Sequence, residues 1–197
     1  SGIGGSGYGT AGVGGSGIVI LSWQSPTPGT SSIAFDGTGD YLSTPPSSGF
    51  SFGTGAYTVE AWIRLSSSAS SVDFIWDTRS GQSNGFYFLV RATGTGTGTD
   101  AAQIYVAGAS EVTGTLSTTI SGTDCDNIFI GSGQTEPEHE FYGWMDEIRV
   151  SDSARYTGAY TPSSTQFTAD ANTMLLIHSD WDGGLGADSS GNENDFA

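Results

Sequence analysis

The stretch GWMDEIRVSDSARYT, Gly143 to Thr157, sets two carboxylates side by side, Asp146 and Glu147, just after a tryptophan and a methionine. Paired carboxylates can cleave a glycosidic bond when both face it across roughly 5 to 10 Å, or they can help to hold a hard cation. In a strand, however, successive side chains point to opposite faces, so Asp146 and Glu147 are expected to diverge rather than share a substrate. The two histidines add no catalytic partner. His139 lies in the acidic stretch TEPEHEF and His178 at the end of an apolar run. Neither has an adjacent nucleophile or a second histidine at metal-ligand spacing, so each reads as a satisfied or solvated side chain. The chain is read as non-enzymatic.

A cation is the better chemical candidate. DGTGD offers Asp36 and Asp40 on a glycine-rich turn, where carboxylates and converging carbonyl oxygens suit calcium. The same turn also reads as one in which each aspartate accepts its own backbone N–H groups. Neither this loop nor DWDGGLGADSSGNEND has the ligand spacing of an EF-hand. For sugars, the candidates are Tyr156 and Tyr160 in the turn-rich SARYTGAYTP, either as stacking platforms or as a lid on the edge of the fold. Trp62, Trp76 and Trp144 lie in strand-like runs and are expected to pack in the core or on a sheet face.

The elements that must position these residues are short strands. Apolar runs bounded by turn residues predict strands at Ile18–Trp23, Ile33–Phe35, Tyr41–Ser43, Tyr57–Leu65, Phe74–Trp76, Phe86–Arg91, Gln103–Val106, Ile128–Ile130, Trp144–Val150 and Met174–Ile177. In YTVEAWIRL, Tyr57, Val59, Ala61, Ile63 and Leu65 share one face, while Glu60, Trp62 and Arg64 share the other. This pattern, with 31 glycines and no long helical periodicity, predicts an all-β sandwich. TGTGTGTD, Thr93 to Asp100, reads as a mobile hairpin loop. The opening SGIGGSGYGTAGVGGSG cannot form a core of its own; it reads as a flexible linker or as an extended threefold helix able to pack against copies of itself.

Charge narrows the partners. Twenty-one acidic residues face five basic ones, all arginine, for a net charge of −16. Such a surface repels phosphate backbones and anionic lipid, so no nucleic acid is expected as a partner. No apolar run is long enough to span a membrane and no leader is evident, so no membrane insertion is expected. Cys125 is the sole cysteine, which excludes an intrachain disulfide and suits a buried small hydrophobe. A first residue of Ser1 and an abrupt polar close suggest a piece of a longer polypeptide.

Three stretches, SIAFDGTGDYLSTP, YTVEAWIRL and FYGWMDEIRVSDSARYTGAYTP, together resemble the laminin-G-like, concanavalin A-like lectin fold found in bacteriophage tail fibres and adhesins. The resemblance implies a two-sheet antiparallel jelly-roll sandwich over residues 31–170. It is preceded by a glycine-rich stalk at 1–17 and a strand with connector at 18–30, and followed at 171–197 by an extra strand and the opening of a further repeat. It also implies that Asp146 can join Asp36 and Asp40 in holding a structural calcium. β-Sandwich glucanases of this fold class carry E-x-D-x-x-E-like spacing on one strand, which EFYGWMDE lacks. The function implied is binding of a host cell-surface glycan by a virion appendage, outside the cell, in a homo-oligomer, trimeric if a fibre, alongside other virion or fibre subunits. The alternatives are a structural spacer or decoration protein of a virion or filament, a cellular surface adhesin, and, least, a glycoside hydrolase.

Overall fold

Among the described residues, period-two alternation becomes eleven strands. The structure, a computed structural model, describes residues 17–22, 31–44, 48–50, 52, 55–66, 72–78, 87–91, 102–106, 109–114, 128–133, 139–180 and 184–196. The strands are β1 Gly17–Ser22, β2 Ile33–Asp36, β3 Leu42–Thr44, β4 Tyr57–Leu65, β5 Val72–Asp77, β6 Tyr87–Arg91, β7 Ala102–Val106, β8 Ala109–Gly114, β9 Ile128–Ile130, β10 Tyr142–Ser151 and β11 Thr173–Ile177. Every strand read from the sequence is present, with ends that differ by a few residues. β8 escaped that reading because ASEVTG carries a single large apolar residue. The glycine-rich opening, the loop TGTGTGTD and Cys125 lie outside the described residues.

Two sheets form. The larger runs β11-β10-β4-β1-β7-β8 with β2 also on β10, and the smaller runs β3-β9-β5-β6. Pairing is antiparallel except at β1, which runs parallel to both β4 and β7. The larger sheet is therefore mixed, where a wholly antiparallel pair of sheets was expected. A strand that follows a neighbour's direction needs a long connection, and β1 has one to each: all of β2 and β3 lies between it and β4.

Between the sheets lies one core. From the larger sheet come Val59, Ala61, Ile63, Met145, Ile148, Val150, Leu175 and Ile177, and from the smaller Leu42, Trp76, Phe88, Ile128 and Ile130. Phe50, at the end of a single 3-10 turn, meets Trp76 edge-on at 5.8 Å. Met174–Ile177, read from the sequence as an extra strand, joins this core through β10. Its free edge is capped by the chain that follows. Asp188 accepts from Leu176 N–H, Ser189 N–H donates to Leu176 O, and the Asn192 and Asn194 amides donate to the carbonyls of Thr173 and Met174. Phe196 then turns into the core beside Trp76, passing so close to Gly186 that any side chain there would collide with the Phe196 carbonyl. Side-chain bonds thus replace a neighbouring strand and blunt an edge open to pairing.

Candidate functional site

The paired carboxylates sit on a break in β10. Asp146 faces Trp62 and Arg149 faces Glu60, so Glu147 and Ile148 share the single place opposite Ala61. This is a β-bulge, and it resets the alternation. Met145 points into the core before it and Ile148 and Val150 after it. Glu147 bears the cost, with φ at 50°, a region that L residues other than glycine seldom adopt. Simple alternation therefore fails here, and both carboxylates are buried at 0 % exposure.

The break is also a joint between strands. β2 covers β10 from Tyr142 to Met145 and β11 covers it from Ile148 to Ser151, leaving Asp146 and Glu147 at the gap between the two. Residues flanking both strands close over it. Glu147 takes His178 Nδ1 at 2.8 Å on one oxygen and Phe167 N–H at 2.6 Å on the other. Asp180 takes the Ser31 hydroxyl at 2.9 Å and the Gln166 amide at 2.8 Å. Asp146 Oδ1 accepts Glu147 N–H at 2.8 Å, while its Oδ2 has no hydrogen-bond partner among the described residues. Burial first, then the charges of Glu147 and Asp180, push its carboxyl up from 3.8 to about 7.

Beyond the bulge, the outer face of β4 and β10 lies under the segment 152–171. Arg149 Nε donates to Glu60 Oε1 at 2.5 Å, and Tyr156 O–H donates to Glu60 Oε2 at 3.1 Å. Glu60 and Arg149 are 1 % and 7 % exposed, and burial raises the Glu60 carboxyl pKa in spite of the guanidinium beside it. Tyr156 is pushed up to about 12, by burial and by the Glu60 charge. Arg155 holds Asp170 through both oxygens at 2.9 and 2.7 Å and keeps that carboxyl below the ordinary range. Tyr156 and Tyr160 stack on each other with centroids 3.9 Å apart, so Tyr156 spends its hydroxyl and one ring face inside the protein. With Glu60, Trp62 and Phe167 they line a shallow depression open to solvent, with almost no enclosed space. That falls short of a pocket enclosing a small molecule.

The three residues expected to hold calcium are not brought together. Asp36 pairs with Tyr142, four residues from Asp146 along β10 or about 13 Å at strand rise. Asp36 and Asp40 are exposed whereas Asp146 is buried. In the turn, Thr38 N–H donates to Asp36, Asp36 N–H to Asp40, and Gly39 N–H to Glu140 from across the rim. This matches the turn that satisfies its own backbone. Among the described residues no group of three or more His, Cys, Asp or Glu side chains gathers at metal-binding distance. His139 stacks over Phe74 at 6.3 Å, and His178 serves the bulge.

A different constellation occupies the uncovered end of the outer face. Arg64 pairs with Trp144, which pairs with exposed Ala34, and one level further Tyr142 pairs with exposed Asp36. Trp62, Tyr142 and Trp144 are half-buried and Arg64 is exposed. The Arg64 guanidinium lies 5.0 Å over the Trp144 ring. Gly143 permits this closeness, since a Cβ there would collide with the Arg64 carbonyl oxygen. At the rim Tyr41 is 49 % exposed and leans on Phe129 at 5.5 Å. Trp62, Tyr142, Trp144, the Arg64 guanidinium and the Asp36 carboxylate thus lie on one face of the larger sheet, with Asp40 and Glu140 bonded to the turn that carries Asp36. No protein-family model, curated protein or solved structure matches the chain. The outward residues of YTVEAWIRL were legible as a set, but that Trp62 and Trp144 stay partly uncovered was not, because nothing in those strands says where the segment 152–171 ends its cover. Among the described residues no helix is long and apolar enough to cross a membrane.

Proposed function

We propose that this chain is a non-enzymatic glycan-binding module of the laminin-G-like kind, displayed on a virion tail fibre or a comparable surface appendage. The sugar would lie on the uncovered end of the outer face. The observation that carries the reading is the joint placement of half-buried Trp62, Tyr142 and Trp144 with exposed Arg64 and the Asp36 turn. Sugars present apolar C–H faces that stack on aromatic rings and hydroxyls that bond to carboxylates and guanidinium groups. Two further features support it. The hydrogen-bonded turn at Asp36 and Asp40 is preorganised, so little order is lost on binding. A shallow face also suits a chain-like ligand that runs across it, with several copies in a homo-oligomer turning weak contacts into avidity.

The test is a glycan array probed with oligomerised protein, followed by titration of the best glycan. Trp144→Ala and Trp62→Ala are expected to weaken binding at least tenfold without changing the thermal midpoint by more than a few degrees. Absence of binding to any glycan would overturn the reading in favour of a structural spacer.

A further inference from the structure

The arginines whose side chains are described divide into two kinds. Arg149 is buried against Glu60, with the Phe167 ring 4.0 Å from its guanidinium carbon. Arg155 is closed onto Asp170 and Ser151. Arg149 neutralises a buried carboxylate, and Arg155 an exposed one on the segment that covers the outer face. Arg64 has no carboxylate partner among the described residues, although the chain carries 21 acidic groups to five basic ones. It is held instead by a ring, 5.0 Å above Trp144. A guanidinium held over a ring face keeps its N–H donors for another partner, and its planar fork matches a carboxylate or sulfate. The acidic groups nearest in register do not fill that role. Glu60 and Asp146 are buried on the same two strands, and Glu60 is already paired with Arg149.

Resting on the glycan reading above, we infer that the outer face selects an acidic glycan, and that Arg64 binds the carboxylate or sulfate of one residue while Trp144 or Trp62 stacks a neighbouring ring. The site also dictates register. Exposed Asp36 lies on the far side of Trp144 from Trp62, so the anionic group is admitted at Arg64 and repelled toward the turn, where only hydroxyls are welcome. Net charge of −16 works against any polyanion at long range, but at physiological salt that repulsion is screened beyond about 8 Å. A fork bonded directly to its anion is screened far less.

The experiment uses the whole chain and three probes of one backbone: a uronate hexasaccharide, its carboxyl-reduced neutral counterpart, and a sulfated version of the neutral form. Binding is followed by calorimetry at fixed salt. The uronate, the sulfated form or both are expected to bind at least tenfold tighter than the neutral chain, and which of them does so identifies the anion. Arg64→Gln is expected to abolish that preference, and Arg64→Lys to restore part of it, as a point charge without the fork. Trp144→Ala should weaken all three probes. Equal binding of acidic and neutral probes, or a preference that survives Arg64→Gln, overturns the inference and leaves the glycan reading intact. Loss of all binding to every probe and on the array overturns the glycan reading itself.

Discussion

Asparagine at position 146 isolates the energetic cost of the bulge. In the unfolded chain the Asp146 carboxyl ionises near its ordinary value of 3.8, and in the folded chain near about 7. Between those values the native state keeps a proton that the unfolded state has released, so stability falls as pH rises. The contribution is fully present below about pH 4 and lost by about pH 7 to 8. A gap of about three pH units at about 1.4 kcal/mol each makes the loss about 4 kcal/mol. Asp146→Asn keeps an oxygen for Glu147 N–H and puts an amide donor where Oδ2 now has no hydrogen-bond partner, in the field of Glu147 and Asp180. Its bond from Glu147 N–H is neutral and weaker by about 1 kcal/mol. The variant should therefore be about 2 to 3 kcal/mol more stable than the parent near pH 8, and within about 1 kcal/mol of it near pH 4. Urea denaturation of both proteins across that range gives the difference at each pH. Glu60, raised by burial, and Asp170, held low by Arg155, titrate in both proteins and cancel. A difference that stays constant with pH, or a variant less stable near pH 8, would refute the reasoning.

Further outcomes follow from the same packing. Arg149→Met leaves Glu60 buried and unpaired by its main partner, so it should cost about 3 to 5 kcal/mol in urea denaturation. Adding Glu60→Gln should recover a large part of that loss. Gly143→Ala drives a methyl group into the Arg64 carbonyl; it should cost about 1 to 3 kcal/mol and weaken glycan binding by displacing both Arg64 and Trp144. Phe196→Ala empties a site 6 % exposed beside Trp76, costing about 3 kcal/mol or more. By loosening the cap on β11 it should also give concentration-dependent association, read by light scattering.

Much of the fold was legible because a half-buried strand writes its own pattern. YTVEAWIRL became β4 with the bounds its alternation predicts, and TMLLI became a strand because four consecutive large apolar residues need cover on more than one side. Partners were less legible than elements. Nothing in GIVILS tells which neighbours it will take, and the parallel insertion of β1 between β4 and β7 is a property of the whole sheet. The relative placing of Asp36, Asp40 and Asp146 was illegible for the same reason. Asp36 and Asp40 share one exposed turn beside β2, whereas register and burial place Asp146 elsewhere on β10.

The bulge shows how far a local pattern reaches and where it stops. Met145, Ile148 and Val150 are spaced by three and then two, which no regular strand can bury on one face. Unbroken alternation from Met145 would have turned Glu147 and Arg149 into the core and Ile148 and Val150 toward water. A buried, unpaired charge costs several kcal/mol, whereas one residue in the left-handed region costs about 1 to 2. An inserted residue is the lower-energy solution, so the spacing of M-D-E-I-R-V already demands it. What the spacing does not contain is the company that Asp146 and Glu147 then keep. His178 and Asp180 arrive from beyond β11 and Ser31 from before β2, because the break in β10 falls where those two strands meet end to end. A pair expected to point to opposite faces of one strand thereby becomes the joint between two strands, with the outer-face residues Trp62 and Arg64 on β4 and Trp144 on β10 beside it.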